Sequence, residues 1–198
     1  MNKLEIILTV AQNFLIIIAA YVLCHGITTF LVAPVQKLFL SHITIFASLI
    51  YLPHGVRLLA TWLMGWRAVI PLFAGALISN IVFTSAQDRA ITDAVIYQSL
   101  SVGALSAYAS FAFLKLLGLD LYANESRTLD WKWLLAAGAL ASVFNSVGQS
   151  IVYFGMIYPE EALATLAIYA FGDLIGLIVS MIVLMMIFRW IRLYSESR

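Results

Sequence analysis

Residues 162–190 read ALATLAIYAFGDLIGLIVSMIVLMMIFRW, a run in which Asp173 is the one charged side chain before Arg189. A helix rises 1.5 Å per residue, so about 20 apolar residues suffice to cross the roughly 30 Å hydrocarbon core of a bilayer. A helix at a water interface keeps a polar face, and this run has none. It reads as a membrane span carrying one buried acid.

Working outward, runs of the same character fill the chain. The sequence is 63% hydrophobic and 11% charged, outside the range of soluble domains. Punctuation by Pro, Gly and charge divides it into six expected spans: Glu5–Val32, Phe39–Met64, Ala68–Ala86, Ile91–Leu117, Trp131–Met156 and Ala162–Trp190. Ala33-Pro34 is expected to end the first, since proline cannot continue the hydrogen-bond ladder, and Pro53-His54-Gly55 is expected to break the second. The first run is too long for a signal-peptide core and reads as a retained span. The expectation is an all-α, polytopic helical bundle forming a single domain over residues 1–198.

Charge supplies an independent test of the count. With six spans, one side holds Lys3, Arg67, Lys115, Arg127, Lys132, Arg189, Arg192 and Arg198, and the other holds Lys37 and Arg89. The positive-inside rule then puts both termini in the cytoplasm, in the manner of a bacterial inner-membrane protein. Trp66, Trp131, Trp133 and Trp190 fall at the same ends, as interfacial anchors do. A net charge of +1 provides no basic surface for nucleic acid, and the lone Cys24 cannot form an internal disulfide.

Ionisable groups at membrane depth are costly and mark packing anchors or pathways. Arg57 and Asp173 are the two here, joined by His54, Asn80, Asn145 and Gln149. Counted from the outer ends, His54 and Asp173 lie about 15 Å deep, Asn145 about 14 Å and Asn80 about 9 Å. Arg57 sits one turn further in, with an arm long enough to reach back toward Asp173 as a switchable charge pair. These residues, with Pro53 and Gly55 shaping the break, form a candidate ligand-binding layer; structural hydrogen bonding between helices is the competing reading. Gly172/Gly176, Gly75/Ser79, Gly103/Ala107 and Gly138/Ser142 have the small-residue spacing of closely packed helices. His25, His42 and His54 leave a haem site open, though no ligand spacing supports one, and no metal site is expected. No P-loop, GxSxG, HExxH or paired-carboxylate motif is present, so no enzyme activity is expected.

The stretch Leu52-Pro53-His54-Gly55-Val56-Arg57-Leu58, continuing through Gly65-Trp66-Arg67 to Gly75-Ala76-Leu77-Ile78-Ser79-Asn80, resembles the first class of bacterial membrane-associated sensor domains. Gly172-Asp173-Leu174-Ile175-Gly176 is similar to that family's last helix. The resemblance implies a sensory membrane bundle, but members carry about eight spans ahead of a cytoplasmic signalling domain. This chain has fewer spans and no output domain, so a sensory role implies a separate membrane-protein partner. Three functions stay open: a stand-alone sensor-like module, a structural or assembly subunit of a membrane complex, and the substrate-binding subunit of a small-molecule transporter. Lipid is the expected surroundings, and a homo-oligomer is compatible with the small-residue ridges.

Overall fold

A computed structural model describes residues 2–39, 48–83, 93–123, 131–153 and 159–196. The described chain is mostly helical, with no strand among the described residues. Five helical stretches, Lys3–Leu38, Pro53–Phe83, Ala94–Leu116, Trp131–Val152 and Tyr169–Ile187, are long and apolar enough to cross a membrane. That is the pattern of a multi-pass membrane protein.

α1 (Lys3–Ile27) starts at a capping box, in which the Asn2 backbone N–H donates to the Glu5 carboxylate at 3.0 Å. It does not stop at Pro34 as expected. A π-helical turn at Thr28–Val32 widens the backbone just ahead of the proline, and α2 (Ala33–Phe39) continues with Pro34 in its first turn. The wider ladder of the π-helical turn, in which the Ala33 N–H bonds back to the Thr28 carbonyl, makes room for the proline ring inside a continuing helix.

The expected second and third spans meet in one helical stretch, α3 (Pro53–Met64), a 3-10 turn (Gly65–Ala68) and α4 (Val69–Phe83). This stretch is not straight. Tyr21 packs its Cβ against Gly75 while its hydroxyl reaches Arg57, two positions that a continuous helix would hold about 27 Å apart. The reversal sits at Gly65, whose φ of 59° is open to glycine and strained for other residues. The N-terminal part of the expected second span, residues 40–47, lies outside the described residues, as do the outer ends of the third, fourth and fifth spans.

Side-chain pairings give the helix directions. α5 (Asp93–Leu116) runs antiparallel to α6 (Trp131–Val152), since Ser110 bonds to Ala137 near one end and Ser99 to Gln149 near the other. α7 (Pro159–Glu196) opposes α6, with Leu177 against Gly138 and the Ala170 carbonyl bonded by Ser142. α3 descends beside α5, from Arg57 on Gly103 to the Trp62 carbonyl, which accepts from the Ala123 N–H beyond the end of α5. α1 and α4 rise together, Tyr21 on Gly75 and His25 stacked on Phe83.

Burial is inverted relative to a soluble protein. Leu15, Leu23, Phe30, Met185 and Met186 are largely exposed, while His54, Arg57, Ser110, Asn145, Gln149 and Asp173 are buried. Such a distribution is unstable in water and suits a hydrocarbon surround. Small residues let the helices approach: Ala60, Ala68, Ala76, Ala104, Ala107, Ala137 and Ala141 are all buried.

Candidate functional site

α3 begins inside the bundle. Proline at its first position needs no partner for a missing N–H, so Pro53 suits the start of this helix. The residues before it, Ser48–Leu52, are not helical, and their backbone lies on α7. A Cβ at Gly172 would collide with the Ser48 carbonyl, and one at Gly176 with the Tyr51 backbone. The Gly172/Gly176 ridge thus receives an extended segment, where close packing of a helix was expected. Gly172 is about 20 Å along α7 from Pro159, so this non-helical backbone sits deep in the bundle.

Non-helical backbone at such depth persists only where protein satisfies it. Here Tyr51 N–H donates to the Gly172 carbonyl at 2.9 Å, and Leu49 N–H to Gln36 Oε1 at 2.8 Å. His54 N–H bonds back to the Tyr51 carbonyl at 3.2 Å and Gly55 N–H to Leu52 at 3.0 Å. The Ser180 hydroxyl reaches the Leu52 carbonyl at 3.4 Å.

Two polar groups flank the start of α3. In the first, His54 Nε2 lies 3.1 Å from the Gly138 carbonyl, and Nδ1 lies 3.5 Å from Asp173 Oδ2. The same oxygen accepts from Asn145 Nδ2 at 3.1 Å. Asn145 Oδ1 in turn accepts from Gln149 Nε2 at 3.4 Å, Gln149 Oε1 from the Ser99 hydroxyl at 2.9 Å, and Ser99 from Tyr153 at 3.2 Å. The donors from Gln149 and Asn145 point head to tail toward the carboxylate, so each amide polarises the next.

In the second group the Arg57 guanidinium, 5% exposed, donates from Nη2 to the Tyr21 hydroxyl at 2.9 Å and the Tyr51 hydroxyl at 3.3 Å. It stands over both rings, 5.7 and 5.2 Å from their centroids, and Gly103 leaves room for it, since an added Cβ would come within 2.6 Å of Nη2. Nε and Nη1 have no hydrogen-bond partner among the described residues. The expected Arg57–Asp173 pair is not what forms. Tyr21 and Tyr51 capture the guanidinium on the α1 side, while His54 and Asn145 take the carboxylate on the α6 and α7 side.

The structure therefore joins His54, Asn145 and Asp173 directly, sets Pro53 and Gly55 at the head of α3, and gives Arg57 separate partners. Gly55 admits the close approach of Ser180 from α7. Asn80 is half-buried on α4 and has a partner of its own. His25 lies in an aromatic cluster with Tyr21, Tyr51 and Phe83. No group of three or more His, Cys, Asp or Glu side chains with metal-binding geometry occurs among the described residues, and His42 lies outside them.

Sequence reasoning missed Tyr21, Tyr51, Ser99 and Tyr153. Their signal was weak, because hydroxyl-bearing residues are common in membrane helices and only the register between helices makes these four converge. Comparison with protein families, with curated proteins and with solved structures finds no match to the chain.

Proposed function

We propose that the chain is a six-crossing, sensor-like module of a bacterial inner membrane, with both termini in the cytoplasm. It binds a small ligand in the polar layer at the head of α3 and passes its state to a partner membrane protein. One observation carries this reading: a helix begins at membrane depth on a glycine ridge, with buried polar side chains from α1, α6 and α7 converging on its first turns. Holding those groups without water is costly, and a purely apolar bundle would pack as well. The reversal at Gly65 and the alternating helix directions support six crossings, and the one-sided basic residues support the orientation.

Ligand-dependent stability tests this. A ligand at about a hundred times its Kd stabilises a protein by about 2.7 kcal/mol, which is about 5–10 °C in melting temperature at this size. Purified full-length protein is heated in mild detergent with neutral, cationic and anionic metabolites. At least one class is expected to raise the melting temperature by about 5 °C or more and to lose its effect in Arg57→Gln. If no class does so in a folded protein, the ligand-binding reading is wrong.

A second reading, the substrate-binding subunit of a transporter, draws on the same half-helix. Discontinuous helices that aim a terminus at a mid-membrane site are how many transporters hold substrate. Uptake that requires a separate energy-coupling subunit would favour it.

A further inference from the structure

His54 and Arg57 together carry a charge requirement that the described side chains do not meet. The Gly138 carbonyl can only accept, so His54 Nε2 bears a hydrogen and donates to it. Nδ1 then faces Asp173 Oδ2 at 3.5 Å. With a neutral ring this sets a lone pair against a carboxylate oxygen. A proton on Nδ1 converts the same contact into an ion pair.

The head-to-tail amides of Gln149 and Asn145 deliver a donor to Asp173 Oδ2. With the proton in place, the buried layer holds Arg57 and His54 as cations against Asp173 as the anion. One positive charge is left over. The matching donors are on Arg57: Nε and Nη1 carry N–H groups with no partner, on a side chain more than nine-tenths buried. Around it stand the rings of Tyr21 and Tyr51, and Nη2 fills the space beside Gly103.

We propose that the ligand of this layer is a small, singly charged carboxylate, bound at Arg57 Nε and Nη1 together with one proton seated between His54 and Asp173. The inference rests on the ligand-binding reading above and names its ligand class. Charge balance links the two events. The anion neutralises the surplus charge when the proton is present, and loss of the proton restores neutrality when the anion leaves. Arg57 is the binding residue, and His54 with Asp173 is the proton seat.

The titratable and charged groups around that seat are Asp173 and Tyr169 on α7 and Arg57 on α3. Beyond Arg57 come Tyr51 before α3, and Tyr21 and His25 on α1. α5 and α6 contribute Gly103, Ser99, Gly138, Asn145 and Gln149, none of which titrates.

The full chain in phosphatidylcholine nanodiscs is titrated with radiolabelled acetate and benzoate between about pH 5.5 and 8.5, the window in which a histidine changes charge. Uptake of one proton per anion makes the affinity fall as pH rises, approaching about tenfold per unit. Arg57→Gln is expected to weaken binding by at least about thirtyfold, the loss typical of a truncated buried charge pair. Asp173→Asn leaves Arg57 as an uncompensated cation without need of the proton. It is expected to bind the carboxylates with no pH slope.

A flat pH profile in the wild type overturns the proton coupling and needs no variant to read. Binding unchanged in a folded Arg57→Gln, or a pH slope retained in Asp173→Asn, overturns the assigned residues. Carboxylates failing to bind while phosphatidylglycerol discs stabilise the protein would transfer the site to a lipid phosphate and overturn the proposal. If carboxylates fail but a neutral or cationic compound stabilises the protein, the anion assignment falls and the ligand-binding reading stands. If nothing stabilises it, both fall.

Discussion

At the scale of single residues, glycine carries more of the architecture than the charged side chains do. Gly176 faces the Tyr51 carbonyl, carbon and nitrogen, all backbone atoms that cannot rotate aside. Gly26 faces only the ring edge of Phe83, 3.1 Å from an added Cβ, and that ring can tilt. Overpacking against fixed atoms costs about 1–3 kcal/mol or more. Gly176→Ala is therefore expected to destabilise by about 2 kcal/mol or more and Gly26→Ala by well under about 1 kcal/mol, read as melting temperatures in detergent. Equal losses would mean that Ser48–Leu52 does not rest on the ridge.

Residue-level legibility was uneven for a physical reason. Depth along a helix follows from counting at 1.5 Å per residue, so the level shared by His54, Asn145 and Asp173 could be read from the sequence. Which way a long side chain turns depends on its neighbours across the interface. Arg57 lies three residues, about 60° around the helix, from His54, yet it turns to Tyr21 because Gly103 and two phenols receive it there.

At the scale of elements, the question is what holds α3 short. Pro53 looked like the cause of a break, but at the first helical position it loses nothing by lacking an N–H. The break is held by the bonds and contacts of Ser48–Leu52 on α7. Pro53→Ala is accordingly expected to cost no more than about 1 kcal/mol, the unfolded-chain contribution of a compatible proline. A loss as large as that of Gly176→Ala would return the cause to the proline.

The α5–α6 and α6–α7 links differ in kind, and their variants should separate. Gln149 ties α6 to Ser99 through neutral bonds, and such bonds between membrane helices average about 0.6 kcal/mol, with a maximum of about 1.7. Asn145 donates to a buried carboxylate, and charge-assisted bonds are worth about 1.5–3 kcal/mol. In the same melting assay Asn145→Leu should cost at least about 1 kcal/mol more than Gln149→Leu. Matching losses would indicate that Asp173 is uncharged in the folded protein.

At the scale of the whole molecule, composition and hydropathy were enough for an all-helical membrane bundle, because a burial pattern turned inside out leaves few alternatives. The boundary at Gly65-Trp66-Arg67 was legible as punctuation between the expected spans Phe39–Met64 and Ala68–Ala86, whereas the positive φ that turns the backbone there has no mark in hydropathy. Nor could it register that α1 passes Pro34, because the π-helical turn that permits this is a backbone adjustment with no compositional mark.

The directions of the helices make a prediction that span counting alone does not. α1 and α4 rise together, α6 rises against α5 and α7, and α3, α5 and α7 descend, an arrangement that predicts Asn2, Ala123 and Glu196 on one face of the bundle. With native Cys24 replaced by alanine, single cysteines at these three positions should react with a membrane-impermeant maleimide in inverted vesicles. All three should be protected in right-side-out vesicles. Asn2 and Glu196 labelling from opposite sides would make the number of crossings odd and straighten the chain at Gly65. Agreement of all three from the outer side would keep the bundle and reverse its orientation, against the eight basic residues of Lys3, Arg67, Lys115, Arg127, Lys132, Arg189, Arg192 and Arg198.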